Sequence, residues 1–188
     1  MALPWSCNNT HYQHPTVKIK TLFGDIYVEL YPDKAPKSVA AFLANIDSGI
    51  YKDSKFYRVL KSEDQPSSAD KVNLIQGGIN YTHPEFIRSH MGIPLETTKE
   101  SGLKHENGTI SFARSTALSS PSEFFICIGN APSYDYGGNG NQDGQGFAAF
   151  GKVIKGMGIV RKIHEQSSDG TTFTPPISIR NIIYLNPK

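Results

Sequence analysis

The chain has 188 residues, 38% of them hydrophobic and 19% charged, with a formal net charge of +2. That length suits one domain with a substantial core, and no break in composition divides it. The charges are scattered and form no basic stripe of the kind that tracks phosphates, which argues against nucleic acid as a partner. No apolar run reaches the length of a transmembrane segment.

Residues 1–15 show neither helical nor strand periodicity and are rich in Asn, His, Gln and Pro, so they read as a flexible lead-in to a domain spanning 16–188. The start lacks the charged and apolar pattern of a signal peptide, which points to the cytoplasm if the chain is complete. A truncated N-terminus would instead fit a periplasmic or lipoprotein-anchored form, with Cys7 after Leu3-Pro4-Trp5-Ser6 as the anchor. Cys7 and Cys127 do not make a disulfide framework, and Cys127, inside the apolar run FFICI, reads as a buried thiol. His11 and His14 have helix-like spacing but no further ligand nearby, so no metal site is expected there.

Val17 to Leu22 and Ile26 to Tyr31 alternate in character around Phe23-Gly24-Asp25, which predicts an opening hairpin. Pro36 then stands where a helix would start. Val39, Phe42, Leu43 and Ile46 follow at the spacing of one helical face before Gly49 supplies a stop. Strand-like runs come at Phe56 to Leu60, Val72 to Gln76, Thr109 to Ala113, Phe124 to Ile128 and Phe147 to Ile154. A second helix is expected at Gly156 to His164, and a closing strand at Ile177 to Leu185. The glycine-rich stretch 137–146 reads as a surface loop. Its Asn139 to Gly144 is like the start of a calcium loop, but Phe150 stands in place of the closing glutamate. It also lacks the ending of a phosphate cradle, and no Gly-x-Ser-x-Gly motif supports hydrolase chemistry. Many short strands and two distant helices predict a mainly β domain.

Arg58 is the unexpected residue, because a permanently charged guanidinium lies in the apolar, alternating run Phe56-Tyr57-Arg58-Val59-Leu60. On a strand with one wet face it would simply point to solvent. Five further segments change that reading: Ile75-Gln76-Gly77-Gly78, Ile110-Ser111-Phe112-Ala113-Arg114, Ser122-Glu123-Phe124-Phe125-Ile126, the stretch GFAAFGKV and the stretch GMGIVRKI. In this order they resemble the cyclophilin family of peptidyl-prolyl cis/trans isomerases, whose common forms read close to FHRV, QGG, SMAN or SMAR, SQFFI and FGKV. The resemblance runs from about Val17 to Leu185 and looks most like a bacterial branch.

The resemblance implies a closed eight-stranded antiparallel barrel capped by two α-helices. It implies an isomerase of X-Pro bonds in folding proteins, acting on proline-containing peptides and unfolded proteins as a monomer and without a cofactor. Arg58 matches the catalytic arginine, and Gln76 matches the glutamine that orients it. Phe125 matches the aromatic floor of the proline pocket, with Phe124 turned into the barrel. Leu74 stands where many members have methionine, and Phe147 where many have histidine. Phe112, Ala113 and Arg114 are expected to contact the substrate, with Ala113 matching the small residue that lets its backbone approach.

Several positions depart from the family pattern. Tyr57 replaces the usual histidine, Glu123 the glutamine of QFFI, and Arg114 an asparagine. Lys61 to Lys71 replaces a Pro-Gly-Phe-Met tract and so removes a pocket phenylalanine. The family's tryptophan that binds cyclosporin has no match, since the only tryptophan is Trp5, so weak or no cyclosporin binding is expected. Two other readings stay open: a peptide-binding module that kept the groove without efficient turnover, and a barrel that carries an apolar ligand in its interior.

Overall fold

Burial alternates along the first two strands as the sequence pattern requires. β1 (Thr16–Thr21) and β2 (Asp25–Leu30) turn Val17, Ile19, Ile26, Val28 and Leu30 fully inward, joined through Gly24 at φ +132°. The computed structural model describes residues 13–85, 92–115 and 117–185. The expectations placed on Trp5, Cys7, His11 and the lead-in as far as Tyr12 lie outside the described residues.

Helix α1 (Pro36–Asp47) starts on the expected proline and buries Val39, Phe42 and Ile46. Its N-terminal donors are met from far along the chain, since the Glu96 carboxylate accepts from the amides of Lys37 (3.0 Å) and Ser38 (2.8 Å). A carboxylate there also faces the positive end of the helix dipole. Gly49, at φ +73°, follows the last turn.

The remaining strands are β3 (Lys55–Leu60), β4 (Asn73–Gly78), β5 (Ile93–Pro94), β6 (Thr109–Phe112), β7 (Leu118–Ser119), β8 (Glu123–Ile128), β9 (Ala148–Lys155), β10 (Ser168–Asp169) and β11 (Thr172–Tyr184). A four-residue helix, α2 (Thr98–Ser101), carries a capping box between Thr97 and Glu100. Helix α3 (Met157–His164) follows Gly156, whose φ of +100° and 2.6 Å clearance to the Asp25 carbonyl admit no side chain.

Eight antiparallel strands run in the order β1-β2-β9-β6-β8-β4-β3-β11, and β11 pairs back onto β1 to close the barrel. β10 pairs on the free side of β11, and β5 with β7 makes a separate two-stranded sheet. The expected strand set is present, with β11 extended five residues earlier than Ile177. β5, β7, β10 and α2 were not anticipated, being too short to carry a period.

Side chains fill the barrel interior. Phe42 of α1 lies among Phe124, Phe150 and Tyr51, with ring centroids 5.7, 5.1 and 5.4 Å away, and Val160 and Ile163 of α3 join the same core. That filling leaves the outer face of the sheet as the place for a site. Among the described residues no helix is long and apolar enough to cross a membrane.

Candidate active site

Sheet register places the key residues in one row. Arg58 on β3 pairs with Gln76 on β4, Gln76 with Phe125 on β8, and Phe125 with Ser111 on β6. Alternation then separates inside from outside. Phe124 and Ile75 belong to the barrel core. Phe125 and Leu74 belong to a second apolar cluster on the outer face, with Ala113, Tyr134 and Phe147 packed against it.

β3 breaks this alternation. Phe56 pairs with Gly77 and Arg58 with Gln76, so Tyr57 is the extra residue of a β-bulge. Phe56 and Val59 face the core on either side of it. A bulge of this kind turns two successive side chains to one face, and Tyr57 and Arg58 both reach Gln76.

The result is a linear hydrogen-bond chain. An Arg58 Nη1–H donates to Gln76 Oε1 (3.0 Å), Gln76 Nε2 donates to Tyr57 Oη (2.8 Å), and Tyr57 Oη donates to Glu123 Oε2 (2.7 Å). The other carboxylate oxygen, Oε1, accepts from the backbone amides of Ile79 (2.8 Å) and Asn80 (3.0 Å). Gly78 makes that approach possible, because at φ +148° a Cβ would sit 2.6 Å from Glu123 Oε1 and 2.3 Å from the Ser122 carbonyl. Burial raises the Glu123 carboxyl to about 7, against the opposing hydrogen bonds from Tyr57, Ile79, Asn80 and Ser122. Burial, with Glu123 nearby, also raises the Tyr57 phenol. Arg58 itself is exposed, so its remaining donors face the groove in the charged form.

The groove beside Arg58 has a volume of about 430 Å³ and is lined by Arg58, Leu74, Gln76, Ala113, Arg114, Phe125, Tyr134 and Phe147 among others. The ring of Phe125 lies 5.2 Å from Phe147 and 5.6 Å from Tyr134, and the latter two are 4.6 Å apart, so three aromatic rings make an apolar corner.

The glycine-rich stretch forms part of the wall. Gly140 and Asn141 line the groove, and Gly138 and Gly140 press so closely on Ser133 and Tyr134 that a Cβ would collide with backbone at 2.4 and 2.6 Å. Arg114 fastens this loop by donating from Nε to the Gly146 carbonyl (2.7 Å) and from Nη1 to Asp143 Oδ2 (2.9 Å), with its guanidinium 5.9 Å over Phe147. The hydrogen bonds that Asp143 accepts from Arg114 and from the Gln145 amide hold its carboxyl down at about 2.

Beneath the floor, His105 stacks on Phe125 with the planes 18° apart. It is fully buried and bridges Asp135 (2.9 Å from Nδ1) and Ser111 (3.1 Å from Nε2). Burial alone would raise the Asp135 carboxyl, but the bonds from His105 outweigh it and hold the group below 3.8. Ser111, His105 and Asp135 have the connectivity of a hydrolase triad, yet Ser111 is wholly buried and out of reach of any acyl group. Cys127, also buried, has its thiol pushed up to about 12 by burial, as befits an inert structural cysteine.

Of the residues selected from sequence, Arg58, Gln76, Leu74, Ala113, Arg114, Phe125 and Phe147 meet at this groove. Phe112 does not: it is a correction, since its ring is fully buried inside the barrel, 4.4 Å from Phe150. Strand alternation between Phe112 and Ala113 could have given that answer. Tyr134, Asn141 and His105 were missed, for they lie in irregular segments. Tyr57 and Glu123 stood out only as departures from a pattern. Residues 61–71 do not line the groove. Gln65 ties that segment off by bonding the Lys61 carbonyl and both backbone groups of Val72, and Tyr134 supplies an aromatic wall elsewhere.

Comparisons with known proteins agree with this fold. The family model described as cyclophilin type peptidyl-prolyl cis-trans isomerase/CLD matches residues 16–183. A peptidyl-prolyl cis-trans isomerase of Acinetobacter baylyi is 33% identical over 148 residues, covering 78% of this chain and 70% of the relative. Isomerase B of Escherichia coli is 31% identical over 148 residues, 78% of this chain and 82% of its own. Isomerase 10 of Caenorhabditis elegans is 31% identical over 176 residues, 92% of this chain and 97% of its own. In fold, a crystal structure of a cyclophilin type isomerase from Cryptosporidium parvum superposes with a TM-score of 0.71 at 24% identity, covering 93% of this chain and 99% of that one. With its closed barrel, and with the arginine and glutamine paired beside an apolar groove, the chain belongs to the cyclophilin-type peptidyl-prolyl cis-trans isomerase family.

Proposed function

We propose that the protein accelerates cis/trans rotation of X-Pro bonds in peptides and unfolded proteins at the outer groove. The observation that carries this reading is the 3.0 Å bond between Arg58 Nη1 and Gln76 Oε1 at the edge of the aromatic corner. Amide resonance sets a barrier of roughly 18 to 20 kcal/mol to rotation, while the isomers differ little in energy. No bond is made or broken, so a catalyst needs only to favour the twisted state over both planar ones.

In the proposed mechanism the proline ring packs on Phe125, against Leu74, Phe147 and Tyr134. As the amide twists, the imide nitrogen becomes pyramidal and regains a lone pair. A free Arg58 N–H donates to it, while Gln76 holds the guanidinium at that height. Ala113, with no side chain beyond Cβ, leaves room for the backbone that precedes proline.

The test is protease-free NMR exchange on a short Ala-Pro-Phe peptide with wild type and Arg58→Ala side by side. Wild type is expected to broaden the proline signals by accelerated exchange. The variant is expected to lose at least about tenfold in rate, the scale of one transition-state hydrogen bond, with its thermal unfolding unchanged. Near-normal exchange with Arg58→Ala would overturn the mechanism.

A further inference from the structure

We propose that Tyr57 and Glu123 are positioning residues that fix which way the Gln76 amide points, and so decide whether Arg58 is anchored for catalysis. The inference rests on the isomerase reading above and adds two residues of the groove wall that act through Gln76.

The argument is one of donors and acceptors. An ionised carboxylate can only accept. Glu123 Oε2 therefore takes the Tyr57 proton, and the Tyr57 oxygen turns a lone pair toward Gln76. Only the Nε2 end of Gln76 can donate to that lone pair, which leaves Oε1 as the end facing Arg58. Every bond in the chain then runs in one sense, from the guanidinium to the carboxylate.

Reversing the last link reverses them all. Oε1 of Glu123 is already engaged by the Ile79 and Asn80 amides, so a proton added to Glu123 goes on Oε2 and is donated to Tyr57. The Tyr57 hydroxyl then points at Gln76, the amide flips to accept it, and its NH₂ confronts the N–H groups of Arg58. Two donors face each other, and the guanidinium loses its anchor. An amide at position 123 has the same effect, since its oxygen keeps the two backbone donors and its NH₂ turns to Tyr57. Among the described residues, the titratable groups that face Glu123 are Tyr57 of β3, with Arg58 beside it, and Tyr51 from the segment after α1, and burial holds both phenols protonated. Within the neutral range, Glu123 is therefore the member of this set that changes charge.

The experiment measures turnover and KM by NMR exchange on the same peptide, between pH 5.5 and 8.5, for wild type, Tyr57→Phe, Glu123→Gln, their double variant and Arg58→Ala. Both single variants are expected to lose about tenfold in kcat with KM within about twofold. The double variant should lose no more than the worse single one. Wild-type kcat should rise through about pH 7 as the carboxylate forms, and Glu123→Gln should be flat. A merely structural role would leave that profile unchanged. If Arg58→Ala is inactive while Glu123→Gln keeps full turnover and the wild-type pH profile, the positioning chain is overturned and the isomerase mechanism stands. If Arg58→Ala is as active as wild type, both fall.

Discussion

Glu123→Gln should make the protein more stable at alkaline pH even as it lowers activity. The Glu123 carboxyl is 5% exposed and titrates at about 7 in the fold, against an ordinary value of 4.5. The folded state thus holds this proton more tightly than the unfolded chain does. Linkage then gives a contribution to stability that is fully present below pH 4.5 and is withdrawn as pH rises through 7. A gap of about 2.5 pH units at about 1.4 kcal/mol each comes to about 3 kcal/mol. Glutamine, neutral throughout, resembles the protonated acid and avoids that loss. The variant should exceed wild type by about 3 kcal/mol at pH 8.5 and by under about 1 kcal/mol at pH 5. Asp135, Asp143 and Glu100, whose carboxyls are lowered, remove stability toward acid in both proteins and cancel in the difference. Urea unfolding at the two pH values, with equal m values, measures it. A variant less stable than wild type at pH 8.5, or a difference that does not change with pH, would refute the reasoning.

Phe125→Ala should cost about 3 kcal/mol in urea unfolding, because a buried ring is removed from between His105, Tyr134 and Phe147. Peptide exchange should fall with it as the floor is lost. Asp143→Asn removes the carboxylate that Arg114 grips, so KM in the exchange assay should rise while kcat holds. Gly78→Ala should impair both folding and turnover, since its Cβ collides with Ser122 and Glu123. Thermal unfolding and exchange measured together would check this. Cyclosporin should inhibit weakly, as the aromatic walls here are Tyr134 and Phe147, and titration of the exchange rate would show it.

Regular elements were legible where periodicity is strong. Helix α1 announced itself by Pro36 and by Val39, Phe42 and Ile46, and the split of Phe124 inward and Phe125 outward follows from the pleat alone. The same rule misleads at β3. Strict alternation from the inward Phe56 would send Arg58 into the barrel, but the bulge adds a residue that no sequence period marks, so the shared face of Tyr57 and Arg58 cannot be read from the chain. Loops hid the rest. Tyr134 ends a short 3₁₀ turn, Pro132–Tyr134, and His105 lies in an irregular stretch whose role emerges only when Asp135, thirty residues on, folds against it. The polar stretch 137–146 looked like plain surface because glycine counts say nothing of what the backbone packs on.

The pairing of β1 with β11 brings together the two ends of the folded sequence, with Val17 opposite Tyr184. The barrel therefore cannot close until β11 has been made, and until then β1 and β3 each present an open edge to other proteins. Closure is also the contact of greatest sequence separation in the sheet, so its loop entropy is met last, after the local hairpins have formed. Slow hydrogen exchange in β1 and β11 should accordingly appear together in a refolding time course, later than protection in β4 and β8.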